Sequence, residues 1–296
     1  MVIANLPNIE SVVAVRDAHF DPQQLAQLDL LIEVSPSRFR FCVFKNAEAR
    51  CVCLEDYTLN PLEETPASLT RIYDDHAFLG LQGWKNIRIV FNTPHFTLIP
   101  DAYFRKEYAE NYLQLVRGNG IFASEQVLSH RLDAMEARNV FSVNRATRYW
   151  FLSTYAVSAV TFLHQTSALI DGSLRQQTPA SLEAGLALYF EEDFLTIAVQ
   201  QAGKLALCNK FAYKDAADMV YFVLFVIDTL QLKPAQVAAC LYGEITPYSD
   251  DYQSLQRFLP NLSFGKKPEK IQLSEAFDDF PEHRYFSLYS AYFVNH

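Results

Sequence analysis

The chain has 296 residues, half of them hydrophobic, which is enough for one large domain or for two of ordinary size with a substantial core. The formal net charge is -9 and the pI is about 5.3. Because a nucleic-acid-binding surface must neutralise phosphates, this balance argues against a nucleic-acid partner.

The beginning of the chain predicts a β-meander, a helix and a buried strand, in that order. Leu28–Ser35 and Arg38–Lys45 alternate apolar and polar residues around a short turn, and Ala49–Leu59 adds a third strand. A helix-period segment at Ala67–Leu81 follows. Ile87–Phe91 is almost wholly apolar, as expected for a strand in the middle of a sheet.

The next segment predicts an insertion within the first half. Asp101 can cap a helix that runs from Ala102 to Val116. Gln126–Val143 alternates like a hairpin, so we expect an inserted segment near residues 117–144. A helix, a strand and a second helix then close the first half, at Arg145–Tyr155, Val157–Leu163 and Gln165–Gln176.

The second half repeats the order of the first. A second meander is predicted at Ala184–Phe190, Phe194–Gln200 and Leu205–Ala212. A strong helix begins near Asp215, and the apolar strand Val237–Tyr242 follows it. A repeated unit of this size predicts an α/β protein with two similar halves.

Two helices of the second half allow more specific predictions. The helix after Asp215 is expected to bury the face formed by Phe222, Val223, Val226 and Leu230. At the end of the chain, Tyr285, Leu288, Tyr289 and Tyr292 follow the i, i+3, i+4, i+7 spacing of a helix. That spacing predicts a helix with one aromatic stripe.

The cysteines bear on two questions, the cellular compartment of the protein and the presence of a metal site. Cys51 and Cys53 share one face of a strand and Cys42 lies on the neighbouring one, but no histidine or CxxC pair completes a zinc ligand set. We expect free core thiols, no metal site and a cytoplasmic protein. No signal peptide is visible, and the most apolar stretch, Met219–Leu232, is too short for a membrane span, so no membrane insertion is expected.

Several stretches of the sequence resemble an uncharacterised bacterial family, a domain of unknown function, that is assigned to the actin-like ATPase fold. They are His95–Pro100 with Tyr103, Phe104, Tyr112 and Leu113, then Asn139–Phe141, Leu207–Tyr213 with Asp218 and Tyr221, and Leu241–Ile245. The resemblance extends from about Leu28 to the last helix. It implies a duplicated ribonuclease-H-like fold, with two lobes around a cleft, at residues 1–178 and 179–296.

The resemblance also implies where a nucleotide would bind. In active members of the superfamily, a hairpin turn in each half holds phosphates and metal, and a glycine-rich junction in the second half receives the adenosine. ATP and magnesium are therefore the cofactors that the fold suggests. The positions of this chain that match the three segments are Glu33, Ser35 and Ser37, then Glu191, Glu192 and Asp193, and finally Gly243 and Glu244.

This chain departs from the pattern in all three segments. The first turn has no glycine, and its Pro36 has no N–H to donate. The second turn has three carboxylates, which repel phosphate unless a metal intervenes. The third segment keeps only Gly243. We therefore expect no resident cofactor and assign no catalytic residue.

Two functions follow from these departures. The first is a non-catalytic actin-like binding or assembly scaffold, with a degenerate nucleotide cleft and a protein partner. The alternative is an ATP-binding enzyme, either an ATPase or a phosphotransferase, that uses an atypical site. Nucleotide titration in the presence of Mg²⁺ discriminates between the two.

Overall fold

The computed structural model describes residues 9–294, which divide into two compact units. The first unit contains residues 9–131, Ala137–Gln165 and Lys270–Asp279, and the second contains Leu132–Glu136, Thr166–Glu269 and residues 280–294. The predicted boundary between lobes at residues 178 and 179 stays a prediction. Each unit is described by itself below.

The first unit is built on two sheets. In chain order its strands are β1 (Ser11–Arg16), β2 (Leu28–Val34), β3 (Arg38–Lys45), β4 (Arg50–Thr58), β5 (Asn86–Phe91), β6 (Phe96–Pro100), β7 (Glu125–Leu132), β8 (Ala137–Asn144) and β9 (Val160–His164). The larger sheet has the order β1-β4-β3-β2-β5-β9, and the two-residue strand Gln272–Leu273 pairs with β4. The smaller sheet has the order β6-β8-β7.

The helices of the first unit are α1 (Thr65–Asp75), α2 (Ala109–Arg117) and α3 (Arg145–Thr154). The prediction that Asp101 caps a helix starting at Ala102 is wrong. Asp101 instead pairs with Arg131 at 2.7 Å and with Arg138 at 3.1 Å. The N–H groups of Tyr103 and Phe104 donate to the Pro100 carbonyl in a turn rather than to the Asp101 side chain, and the α-helix begins only at Ala109.

The second unit has one sheet and four helices. Its elements are α4 (Gln165–Leu174), β10 (Ala184–Phe190), β11 (Phe194–Gln201), β12 (Lys204–Ala212), α5 (Ala216–Thr229), β13 (Val237–Gly243), α6 (Asp250–Gln256), β14 (Leu262–Phe264) and α7 (Phe286–Ser290). The sheet order is β12-β11-β10-β13-β14. The helix α5 begins near Asp215, as predicted, and Asp215 caps it, because its carboxylate accepts the N–H groups of Ala217 and Asp218 at 2.9 Å.

The larger sheet of the first unit and the sheet of the second unit share one arrangement of strands. Each contains an antiparallel meander, and the first strand of each meander pairs in parallel with the strand that follows a helix, β5 or β13. The register of the second and third strands shifts after Val43 in one meander and after Val199 in the other. The predicted duplication of the α/β unit is therefore present in the topology.

The helix α5 forms the apolar centre of the second unit. Its buried residues are Met219, Val220, Val223, Val226 and Ile227, and they pack against the sheet. The predicted face was partly wrong, because Phe222 and Leu230 are only half-buried. The apolar sequence of α5 runs all round the helix, so periodicity alone did not identify the face that meets the sheet.

The last helix is buried on every side, so the predicted single aromatic stripe is wrong. All five residues of Phe286–Ser290 are buried. The Phe286 ring stacks on Tyr242 with the centroids 4.0 Å apart, and Tyr189 Oη lies 2.8 Å from Ser287 Oγ. The helix therefore closes one face of the second sheet.

All five cysteines are free thiols, as predicted, and Cys42, Cys51 and Cys53 are buried. Within residues 9–294, no helix combines the length and the apolar character that crossing a membrane requires.

Candidate functional site

The first predicted site is the turn between β2 and β3. The Ser35 N–H donates to the Arg38 carbonyl oxygen at 2.9 Å, and Ser35 Oγ accepts the N–H groups of Ser37 at 3.3 Å and Arg38 at 3.0 Å. Pro36 has no N–H. The backbone donors of this turn are thus committed to the turn itself, and a phosphate group would have to displace them.

Beneath this turn, three charged residues form a ladder across three adjacent strands. Glu33 on β2 lies opposite Arg40 on β3, and Arg40 lies opposite Asp56 on β4. Arg40 Nη1 is 3.5 Å from Glu33 Oε1, and Arg40 Nε is 3.1 Å from Asp56 Oδ2. All three side chains are almost fully buried, and Arg38 adds a second guanidinium 3.4 Å from Asp56.

Gln165, the first residue of α4 and still part of the first unit, joins this ladder directly after the end of β9. Its side-chain nitrogen lies 3.5 Å from Glu33 Oε2, and the residue is fully buried. Glu33 therefore contacts a guanidinium and an amide, both of which stabilise the carboxylate as an anion. This arrangement does not fit a magnesium ligand, because Arg40 places a positive charge beside the oxygen that would have to hold the cation.

The second predicted site is the turn between β10 and β11, in the other unit. Glu191 Oε2 lies 2.7 Å from the Nζ of Lys210, whose side chain is only 3% exposed. The same ammonium group lies 5.0 Å from the centre of the Phe194 ring. One of the three carboxylates of this acidic turn is therefore already neutralised by a buried lysine.

The backbone of the acidic turn is also engaged. The Glu191 N–H donates to the Phe194 carbonyl at 2.9 Å, and the Asp193 carbonyl accepts the Tyr213 N–H at 3.3 Å. Burial raises the pKa of Tyr213, and the nearby carboxylate of Asp251 raises it further. The Tyr213 hydroxyl thus stays protonated and donates to Asp251 at 3.2 Å.

Gly243 is a glycine for a packing reason. It ends β13 directly opposite Phe190, with φ at +81°, and a Cβ at this position would lie 2.2 Å from the Phe190 carbonyl oxygen. That oxygen accepts the N–H of Glu244 at 2.9 Å, while the Gly243 N–H donates to the His283 carbonyl at 3.0 Å. The close approach of two strand ends accounts for this glycine without a ligand.

The predicted site residues therefore fall into two groups. Glu33, Ser35 and Ser37 lie together in the first unit, and the other five lie around the ends of β10 and β13 in the second, namely Glu191, Glu192, Asp193, Gly243 and Glu244. Among the residues that the structure describes, no cluster of three or more histidine, cysteine or carboxylate groups is placed to hold a metal.

Sequence reasoning missed the residues that neutralise these carboxylates: Arg40, Asp56, Gln165 and Lys210. The available signal was charge in the interior of apolar strands, as at Arg40 between Phe39 and Phe41. Alternation of this kind usually indicates a solvent-facing side, and here both sides of the strand are buried.

Comparison with known proteins agrees with this architecture. A family model described as "Protein of unknown function (DUF3822)" matches residues 17–262. A Bacteroides thetaiotaomicron VPI-5482 protein with actin-like ATPase fold and unknown function is similar in structure, with a TM-score of 0.76 and 17% identity over 93% of this chain and 99% of that one. The PilM-PilN type IV pilus biogenesis complex has a TM-score of 0.54 at 12% identity, over 89% and 97% of the two chains.

A search of curated proteins gave no match. The structural similarities show the actin-like ATPase fold, and the predicted fold class is confirmed.

Proposed function

Because the chain belongs to the family described as "Protein of unknown function (DUF3822)" and has the actin-like ATPase fold, we propose that it is a non-catalytic actin-like scaffold. In this proposal the protein binds or assembles with a protein partner, and the nucleotide site of the fold is degenerate. We further place it in the bacterial cytoplasm, which its five free thiols support.

The observation that carries the proposal is the hydrogen bonding of the first turn. A phosphate-binding turn needs backbone N–H groups that point at the ligand. Here Ser35, Ser37 and Arg38 all donate to atoms of the turn itself, and Pro36 has no donor. A nucleotide would have to break three internal hydrogen bonds to be held in the same way.

Two further contacts support the same conclusion. Arg40 forms an ion pair with the carboxylate of Glu33, the residue that the family resemblance relates to the metal. In the second unit, the Phe190 backbone occupies the space beside Gly243, so that space is not open for a ligand. Each of these features alone is compatible with an enzyme. Together with the committed N–H groups of the first turn, they remove the backbone donors for phosphate, the metal ligand at Glu33 and the close approach of phosphate to Gly243.

A protein partner is supported by likeness of fold. The structurally similar PilM occurs in a complex with PilN, described as a type IV pilus biogenesis complex. That complex is an example of a chain of this fold bound to another protein, and we expect a protein partner for the present chain as well.

Calorimetric titration of the full chain with ATP and Mg²⁺ tests the proposal. We expect no micromolar binding and no release of phosphate. Glu192→Gly should leave both results unchanged, because it relieves charge and crowding without supplying a metal ligand. ATP turnover that is abolished by Glu33→Gln or by Asp193→Asn, but not by the exposed-site control Glu269→Gln, would overturn the scaffold proposal in favour of the enzyme.

A further inference from the structure

The two sheets differ at the outer edge of the third meander strand. In the first unit this edge belongs to β4, and β1 covers it as an antiparallel strand, with Arg16 opposite Cys53 and Ser11 opposite Tyr57. In the second unit the same edge belongs to β12, which is the terminal strand of its sheet. No strand within residues 9–294 covers β12 on that side.

The pairing registers align the two edges residue by residue. Thr58 lies opposite Arg38 at the start of β3, and Ala212 lies opposite Phe194 at the start of β11. Counted from these residues, the pair β3–β4 and the pair β11–β12 each have one register shift at the same position, after Val43 and after Val199. The stretch of β4 that β1 covers, residues 53–57, therefore corresponds to residues 207–211 of β12. The shift does not prevent pairing, since β4 carries it and still accepts a strand.

The backbone of β12 presents its hydrogen-bonding groups at this edge. The Phe194 carbonyl accepts the Glu191 N–H, so it points toward β10, and Tyr213 donates inward to Asp193. Because the backbone groups of successive residues point to opposite sides of a strand, those of Cys208, Lys210 and Ala212 point away from β11. The Lys210 N–H donates to the Asn209 Oδ1 at 2.9 Å, so an extended chain that pairs with this edge replaces that one side-chain hydrogen bond.

The charges near the two edges differ. On β4 the covered stretch includes Glu55, and the covering strand brings Arg16 to within 3.3 Å of it. β12 has the neutral Asn209 at the corresponding position, and the side chain of the neighbouring Lys210 is buried and paired with Glu191. Exposed lysines flank the stretch on both sides, at Lys204 and Lys214. A strand that covers β12 should therefore carry acidic residues at its two ends, beside these lysines.

We propose that the outer edge of β12 binds an extended, acidic segment of a partner protein, which pairs antiparallel with residues 207–211 as β1 pairs with β4. This inference rests on the proposed scaffold function and identifies the kind of segment that the partner presents.

The test uses the full chain and a fluorescently labelled peptide that contains the β1 sequence Ser11–Val15 with two glutamates at each end. Fluorescence anisotropy should show saturable binding. Lys204→Glu combined with Lys214→Glu should weaken binding at least about tenfold, since both ends of the segment then meet like charge. The matched control changes the exposed lysines Lys106 and Lys270 to glutamate and should have little effect.

A backbone variant tests the pairing itself. Ala212→Pro removes one outward N–H at the end of the edge strand, where proline is tolerated, and should also weaken binding. Circular dichroism verifies that Ala212→Pro is folded. If it is unfolded, the test depends on the double variant of Lys204 and Lys214.

Three results would overturn the inference. The first is an absence of saturable binding up to about 1 mM peptide. The second is equal binding of a peptide with lysines in place of the glutamates. The third is a dimer of the chain that is lost in Ala212→Pro, since the edge would then bind a second copy. ATP turnover measured on the same preparations separates failure of this inference from failure of the scaffold proposal.

Discussion

Arg40 pairs with Glu33 directly across two central strands of the first unit, with Nη1 3.5 Å from Oε1, and both side chains are almost fully buried. Asp56 lies on the other side of the same guanidinium. A buried charge is tolerated only when it is paired, so the stability of this sheet depends on all three residues.

Replacing the central member of this ladder should therefore destabilise the protein strongly. Arg40→Met leaves Glu33 and Asp56 with reduced compensation, and we expect a loss of about 3 to 5 kcal/mol in the free energy of unfolding. Urea denaturation measures it. The control is Arg175→Met, which breaks an exposed i, i+4 pair with Asp171 and should cost less than about 1 kcal/mol. Equal effects of the two variants would contradict the assignment.

The packing of Gly243 against Phe190 leads to a second prediction. Gly243→Ala places a Cβ 2.2 Å from a carbonyl oxygen at a positive φ, and we expect a loss above about 2 kcal/mol or a displaced strand end. Gly203→Ala is the matched control, because Gly203 also has a positive φ, +74°, but open space around it. Its cost should be about 1 kcal/mol. Similar thermal midpoints for the two variants would show that φ alone matters.

The buried face of α5 gives a third prediction. Val223 is fully buried, so Val223→Asp places an unpaired carboxylate in the core and should abolish soluble expression. Tyr221, on the same helix, is 61% exposed, and Tyr221→Asp should give soluble protein with little loss of stability. Normal thermal stability of Val223→Asp would count against this orientation of the helix.

His283 predicts how stability depends on pH. Burial lowers the pKa of His283, the nearby charge of Arg284 lowers it further, and the contact with the Ile245 carbonyl at 3.1 Å opposes both. The unfolded chain therefore binds a proton at this histidine more readily than the folded protein does. As a result, the contribution of His283 to the free energy of unfolding is present above the ordinary histidine pKa of 6.5 and is lost as the pH falls below that value. Urea midpoints at several pH values measure this loss.

The variant His283→Gln isolates this contribution, because it keeps a side-chain donor for Ile245 but does not titrate. Its urea midpoint should fall less than that of the wild type as the pH decreases through 6.5. An identical decrease in both proteins would assign the pH dependence to other groups.

Much of the fold could be predicted because the relevant signals are local. Ala184–Phe190 and Arg38–Lys45 were predicted with the bounds that the structure shows, since alternation ends at short polar turns on both sides. The sequence of α6 is also locally informative, because Ser249 followed by Asp250 and Asp251 is typical of a helix start, and the Ser249 hydroxyl accepts the Tyr252 N–H at 3.3 Å. Where a feature depends on three or four neighbouring residues, sequence is sufficient.

The chemistry of the candidate site could not be read in the same way. Pro36 and the missing glycines already indicated a poor phosphate cradle. Nothing local indicated that Arg40 lies between Glu33 and Asp56, or that Lys210 reaches Glu191. These contacts join residues far apart along the chain.

By itself, the sequence determined the duplicated order of strands and helices, the free thiols and the departure from a glycine-rich phosphate site. Only the tertiary structure decided which charges are buried, which face of α5 meets the sheet, and why Gly243 has no side chain. The physical reason is that periodicity and turn chemistry act within a few residues, whereas burial and charge pairing depend on which distant strands become neighbours.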